Sequence, residues 1–269
     1  MTSTFLPMRL ASFNILHGRA PSDQQVDLDR LADAIKLLDA DILALQEVDR
    51  LQPRSHGADL TAVAAEAMGA VSSRFVAALS GTPEATWMAA TEDDVPGEAS
   101  YGIALLSRYP ARSWQVLRLP HLRRRFPMWL PGPRKVIVVR EEPRAVVIAD
   151  LQTPKGTLLV ANTHLSFVPG WGKVQLRRIR RDLDALPGTV LLMGDLNMPH
   201  PKPSRLTGYQ ALATHLTFPA VAPNRQLDHI LLRGDLGNVI GSSAPELPLS
   251  DHRAIVVDIA DHEEETRRA

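Results

Sequence analysis

Short, nearly uninterrupted apolar runs recur along the chain, at residues 8–16, 41–48, 102–107, 144–151, 157–165, 190–196, 227–232 and 254–259. Runs of this length bounded by turn residues read as strands buried on both faces. The two runs joined by Thr153-Pro154-Lys155-Gly156 predict a hairpin. Helical spacing interrupts the strands three times. Leu28, Leu31, Ile35 and Leu38 form an amphipathic stripe, residues 58–68 are alanine-rich with Gly69 as a stop, and Leu176, Ile179, Leu183 and Leu186 form a stripe ended by Pro187-Gly188. Residues 81–100, rich in Pro, Gly, Thr and acids, predict a loop. With strands outnumbering helices and no internal repeat or composition break, the pattern predicts a single α/β domain over residues 1–260, followed by a charged tail at 261–269.

The run at 190–197 ends in Gly194, Asp195, Leu196 and Asn197. Alone, such a string fits an Asx-rich turn after a strand as well as it fits a site. Its company is what matters. Asn14, Glu47, His164, Asp195, Asn197, Asp228, Asp251 and His252 all fall at or beside the ends of apolar runs. Buried positions tolerate such groups only when they are paired, so their repeated placement there points to a shared polar cleft.

Composition narrows the chemistry. The chain has no cysteine, which excludes thiol nucleophiles, cysteine zinc sites and disulfides. Its 30 Lys and Arg balance 30 Asp and Glu, so the chain as a whole offers no basic footprint for long duplex DNA. The start of the sequence has neither a basic nor a long apolar stretch, and no run reaches a membrane-spanning length, so a soluble cytoplasmic protein without a transmembrane segment is the expectation. Locally, residues 118–143 gather Arg118, Arg123, Arg124, Arg125, Arg134, Lys135 and Arg140 around Phe126, Met128, Trp129 and several prolines. This segment could meet phosphates and stack a base, rest on an anionic lipid surface, or form a solvated loop packed on the domain.

The polar groups are carried by Ser-Phe-Asn at 12–14, Leu-Gln-Glu-Val-Asp at 45–49, Asn-Thr-His-Leu at 162–165, Gly-Asp-Leu-Asn at 194–197, Leu-Asp-His-Ile-Leu at 227–231 and Leu-Ser-Asp-His at 249–252. In this order they resemble the endonuclease/exonuclease/phosphatase superfamily, the fold of deoxyribonuclease I and the exonuclease III-like endonucleases. The resemblance implies a four-layered α/β sandwich, with two packed, mostly antiparallel β-sheets flanked by helices. It also implies metal-dependent hydrolysis of a phosphoester. Glu47 then corresponds to the principal ligand of Mg²⁺ or Mn²⁺, supported by Asn14 and Asp251, with Asp195 and Asn197 as ligands if a second ion binds. His252 corresponds to a catalytic imidazole oriented by Asp228, and His164 to a second histidine that stabilises transition-state charge. Asp195 would position or deprotonate the attacking water, Asn197 would hold a phosphate oxygen, and Arg144 resembles a family arginine at the cleft. Tyr101 is placed similarly.

Other positions depart from the family or carry no assigned chemistry. Leu196 stands where phenylalanine is common in the family, His229 where tyrosine is common, and Val48-Asp49 where the repair endonucleases have lysine. A packing or hydrogen-bonding role suits His229; His17, His56, His121, His200 and His215 are expected in loops without a role. Three functions remain open: a nuclease or nucleotide phosphodiesterase, a phospholipid- or phosphoinositide-directed hydrolase of the same fold, and a catalytically silent binding module. No obligate protein partner is evident.

Overall fold

The computed structural model describes residues 7–83, 88–90, 95, 97–122, 125–130 and 135–260, with backbone alone at 125–130 and 135–140. The first half of the chain contains β1 (Met8–Asn14), α1 (Leu28–Leu38), β2 (Ile42–Arg50), α2 (Leu60–Met68), β3 (Ser72–Ser80), β4 (Met88–Ala89), β5 (Ser100–Ser107) and β6 (Ala111–Arg118). The second contains β7 (Arg125–Leu130), β8 (Lys135–Arg140), β9 (Ala145–Thr153), β10 (Gly156–His164), α3 (Trp171–Asp184), β11 (Thr189–Asp195), α4 (Lys202–Thr207), β12 (Gln210–Ala211), β13 (Asp228–Arg233), β14 (Asn238–Ser243) and β15 (Ile255–Ala260). A seven-stranded sheet has the order β14-β15-β1-β2-β5-β3-β4, and a six-stranded sheet the order β12-β13-β11-β10-β9-β6. Strands run antiparallel except in the pairs β1–β2 and β10–β11.

Strand parity explains the layering, because successive side chains point to opposite faces. Leu10, Ile42, Ala44, Val147, Val160, Leu191 and Met193 fill the core between the sheets. On the opposite parity, Ala11, Phe13, Leu43 and Leu45 pack under α1 and α2 against Leu31, Ile35 and Leu60. Val190 and Leu192 likewise pack against Leu176, Ile179 and Leu183 of α3. The uninterrupted apolar runs are therefore strands apolar on both faces, and the result is the expected sandwich of helix, sheet, sheet and helix.

Local chemistry sets the helix ends. The Asp27 carboxylate accepts from Arg30 N at the start of α1, and Asp59 accepts from Thr61 N and Ala62 N at the start of α2. That cap places the first turn of α2 at Leu60, two residues later than the alanine pattern suggests. Gly69 ends the helix in the left-handed region, as expected of a glycine stop.

The sequence pattern overlooks β3, β4, β6, β12, β14, the short α4 and the hairpin of β7 and β8. Strands β6 and β14 lie at sheet edges and contain no fully buried residue, so they show no apolar run. Within the basic segment, β7 pairs with β8 in the register Arg125↔Arg140 to Leu130↔Lys135. Arg123, Arg124 and Arg134 lie outside the described residues, as do the side chains of Arg125, Phe126, Met128, Trp129, Lys135 and Arg140 and the whole tail at 261–269. The hairpin's base is anchored by Glu141, which accepts from Leu122 N at 2.6 Å and from Gln175 Nε2 at 3.2 Å. Among the described residues, no helix is long and apolar enough to cross a membrane.

Candidate functional site

The same parity that fills the core aims the polar strand ends at one another. Asn14 continues the inward series of Leu10 on β1, Asn162 and His164 that of Val160 on β10, and Asp195 that of Leu191 and Met193 on β11. Asp228 stands opposite Asp195 in the β11–β13 register. Beneath them lies a polar floor. Gln46 Nε2 donates to Asn162 Oδ1 at 2.8 Å and to Ser12 Oγ at 3.2 Å, while Asn162 Nδ2 donates to the carbonyls of Leu45 and Ala104, each at 2.8 Å. Buried amides need such partners, and these bonds tie the two sheets together directly under the site.

Glu47 needs a different device. Parity would turn it toward the helices, but the β2–β5 register shifts between Gln46 and Val48, and Glu47 itself has φ 56°. A bulge of this kind re-aims a side chain, here into the cleft. Gly194 meets a closer constraint: its φ is 139°, and a Cβ there would lie 1.9 Å from the Thr163 carbonyl oxygen. Only glycine permits β10 and β11 to approach so closely beside His164 and Asp195.

Asp195 is the hub. Its Oδ2 accepts from Asn14 Nδ2 at 3.1 Å and lies 3.4 Å from His164 Nε2 and 3.8 Å from His252 Nε2. Its Oδ1 accepts from Asn197 N at 2.9 Å, so the Asx turn that the sequence permits is present alongside the cluster. Asn14 Nδ2 also donates to Glu47 Oε1 at 3.1 Å, while Asn14 Oδ1 accepts from Leu16 N at 3.1 Å. Asn197 Nδ2 reaches Leu165 O at 2.9 Å and His164 Nε2 at 3.2 Å. His252 Nδ1 meets Asp228 Oδ2 at 2.9 Å, and the imidazole packs against Phe218 with ring centroids 4.8 Å apart.

Burial and charge divide the titrating groups. Burial raises the Asp195 carboxyl to about 7, reinforced by the charge of Asp228. Burial alone would lower His252, but the charge and hydrogen bond of Asp228, with Asp195 and Asp251, raise it to about 10. His164 moves the other way: burial, then Arg144 and His252, push it well below the usual range, so the ring is neutral. Glu47 is raised by burial against the stabilising hydrogen bond from Asn14, with Asp251 close enough to add to the rise. One neutral and one cationic imidazole thus flank a carboxylate that exchanges its proton near neutrality.

A cleft of about 400 Å³ opens over this cluster, and Glu47, His164, Asp195, Asn197, Arg144 and His252 line it. Asp228 is fully buried behind His252, and Asn14 lies fully buried behind Glu47 and Asp195. Asp251 acts on Glu47 and His252 through its charge. Arg144 is 5 % exposed and 3.3 Å from Glu142, and its Nε is buried without a hydrogen-bond partner. Among the described residues, Asp195, Asp228 and His252 also bring one ligand atom each within 4.8 Å of one another and could hold a metal ion.

His229 makes hydrogen bonds without reaching the cleft: its Nε2 meets Met198 O at 2.8 Å and its Nδ1 meets Gln226 Nε2 at 3.4 Å. His17 departs from expectation. It lines the cleft rather than an uninvolved loop, together with Arg54, Tyr101, Glu142 and Phe167. Apart from Tyr101, these residues come from connections between strands, where the sequence carries no periodic signal.

A sequence profile of the Endonuclease/Exonuclease/phosphatase family matches residues 11–252. No curated protein sequence matches the chain significantly. Among solved structures, an endonuclease/exonuclease/phosphatase from Beutenbergia cavernae DSM 12333 is 23% identical with a TM-score of 0.67, covering 95% of this chain and 72% of that one. Sphingomyelinase C from Streptomyces griseocarneus is 15% identical with a TM-score of 0.62, over 95% of this chain and 100% of that one. Truncated Caenorhabditis elegans TDP2 is 17% identical with a TM-score of 0.58, over 94% and 97%. These likenesses show a shared fold, and with the profile match they establish that the chain belongs to the Endonuclease/Exonuclease/phosphatase family.

Proposed function

We propose that the protein is a divalent-metal-dependent phosphodiesterase acting on a nucleic acid or nucleotide. The observation that carries this reading is the convergence of Asn14, His164 and His252 on one oxygen of Asp195. Glu47 and Asp251 suit a hard cation such as Mg²⁺ or Mn²⁺: both offer oxygen donors, and a half-buried carboxylate facing a second carboxylate is what a cation relieves. Asn14 would steady Glu47 or, with its amide turned, add a ligand; Asp195 and Asn197 would serve a second ion. When bound, the cation screens charge on the phosphoryl oxygens.

This chain's own groups then divide the chemistry. Asp195 takes a proton from water as its oxygen attacks phosphorus. The bond from phosphorus to the leaving oxygen breaks, and cationic His252, held by Asp228, donates a proton to that oxygen. Neutral His164 and the amide of Asn197 hold a phosphoryl oxygen, and Arg144 supplies positive charge to the same group. A second reading, hydrolysis of a phospholipid headgroup, is favoured by Phe167, 40% exposed beside the cleft, and by the fold shared with a sphingomyelinase C.

The test is hydrolysis of a chromogenic phosphodiester with Mg²⁺ or Mn²⁺. EDTA should abolish it, and Glu47→Ala, Asp195→Asn and His252→Ala should each lose orders of magnitude in kcat with the fold intact. Full activity in folded His252→Ala would sink the assignment. A parallel screen of single- and double-stranded DNA, RNA, phospholipids and phosphoinositides separates the two substrate readings.

A further inference from the structure

Beyond Glu47 the cleft continues toward β5, where its lining changes character. There His17 follows β1, Arg54 follows β2, and Tyr101 opens β5. Arg54 is held in a fixed pose: its Nε and Nη2 donate to the two oxygens of Asp49 at 2.8 and 2.7 Å. Asp49 is fully buried, whereas the Arg54 side chain retains 34% exposure, so the pair presents its cationic partner to the cleft. The guanidinium carbon also lies 5.4 Å from the centroid of the Tyr101 ring, which restricts it from another side.

His17 adds a polar group whose role within the fold is incomplete. Its φ is 48°, and its Nδ1 is buried without a hydrogen-bond partner. An unused buried lone pair costs less than an unused buried N–H, so the neutral ring carries its proton on Nε2. Arg19 and Arg54 both lie near enough for their charge to act on this ring. The opposing charges here are Glu47, whose charge acts on both Arg54 and Tyr101, and Glu142, which pairs with Arg144 at 3.3 Å.

We propose that His17 and Arg54 form a second anion subsite at the Glu47 end of the cleft, holding a phosphoryl group that flanks the scissile one. The subsite rests on the hydrolase reading for its place along the substrate. A guanidinium pinned by a buried carboxylate loses little freedom on binding, and it carries N–H donors besides the two that Asp49 accepts, from which phosphate oxygens can accept. The Nε2–H of His17 supplies a neutral donor beside it. Substrates bearing an additional phosphate next to the scissile diester are therefore preferred over the same diester without it.

The experiment compares kcat/KM with Mn²⁺ for dithymidylate with and without a terminal 5′- or 3′-phosphate, and for glycerophosphoinositol with and without a ring phosphate. Wild type should favour the phosphorylated member of at least one pair by about tenfold or more, as one charge-assisted contact allows. The pair that shows the preference identifies the source of the anion. His17→Asn, which suits the positive φ, should lower that ratio, as should Arg54→Lys. Asp49→Asn/Arg54→Met guards against the buried charge that Arg54→Ala would orphan, and should bring the ratio close to one. A wild-type ratio of one, or folded variants that lose rate equally on both members, would overturn the subsite. Should wild type cleave none of these compounds, the hydrolase reading falls separately. The subsite is then decided by calorimetric binding of inorganic pyrophosphate without metal, where equal affinity in wild type and Asp49→Asn/Arg54→Met overturns it.

Discussion

His252 Nδ1 lies 2.9 Å from Asp228 Oδ2, and Asp228 is completely buried. This single contact fixes which ring nitrogen faces Asp195, and it supplies much of the charge that keeps the imidazole protonated up to about pH 10 against the pull of burial. Asp228→Asn should therefore move the alkaline limb of the rate–pH profile to lower pH and cut kcat by roughly 10²- to 10⁴-fold. An alkaline limb that stays in place in a folded Asp228→Asn variant would assign that limb to another group.

Glu47 is raised by burial and by the nearby charge of Asp251. Adding Mn²⁺ to wild type should raise Tm, because the ion binds only the folded site. Glu47→Gln should abolish that rise without lowering the Tm of the metal-free protein, since it removes a partly desolvated charge that faces Asp251. A Mn²⁺-dependent shift of wild-type size in Glu47→Gln would place the cation elsewhere, with the Asp195, Asp228 and His252 cluster as the next candidate.

Gly194 cannot accept a side chain without displacing β10. The Cβ of Gly194→Ala would overlap the Thr163 carbonyl oxygen at 1.9 Å, at a φ of 139°. Loss of at least about 2 kcal/mol in urea unfolding is expected. Any protein that folds should show a much larger fall in kcat than in stability-corrected yield, because His164 and Asp195 stand opposite each other in this pairing.

His229 gives the fold an acid-sensitive element. Burial lowers it from 6.5 to about 4, outweighing the hydrogen bond to Met198 O. Between those values the unfolded chain binds a proton that the folded chain does not. The stability of the neutral ring is thus fully present above pH 6.5 and declines as pH falls toward 4, by on the order of 3 kcal/mol. In His229→Gln, the urea midpoint should fall less steeply across this window than in wild type. His17, which burial and then the charges of Arg54 and Arg19 lower to about 3, and His164, which burial also lowers, add slopes of the same sign in both proteins. The raised Asp195 adds one of opposite sign, so the comparison reads the difference between the two proteins. Parallel slopes in wild type and His229→Gln would refute the assignment to this ring.

The layers were legible in the sequence because strands such as β1, β2 and β11 are apolar on both faces, and a two-faced apolar strand fits between another sheet and a helix. Asn14, His164, Asp195 and Asp228 were legible for a related reason. A polar group at the end of an inward-facing series must meet partners from the opposite sheet, and the order of the strings matches one family. Edge strands β6 and β14 escaped because one side of each lacks a pairing neighbour and much of each faces solvent, which leaves no apolar run to read.

Tertiary structure alone decided the rest. The bulge that turns Glu47 toward Asn14 depends on pairing with β5, which no local pattern encodes. His17, Arg54 and Glu142 lie in connections whose composition resembles any surface loop, and they become cleft residues only when β1, β2, β5 and β9 bring those connections together. Periodicity records the faces that a strand buries, so it reports the core and the groups aligned with it. Proximity between loops is set by contacts distant in sequence, and only the assembled fold contains it.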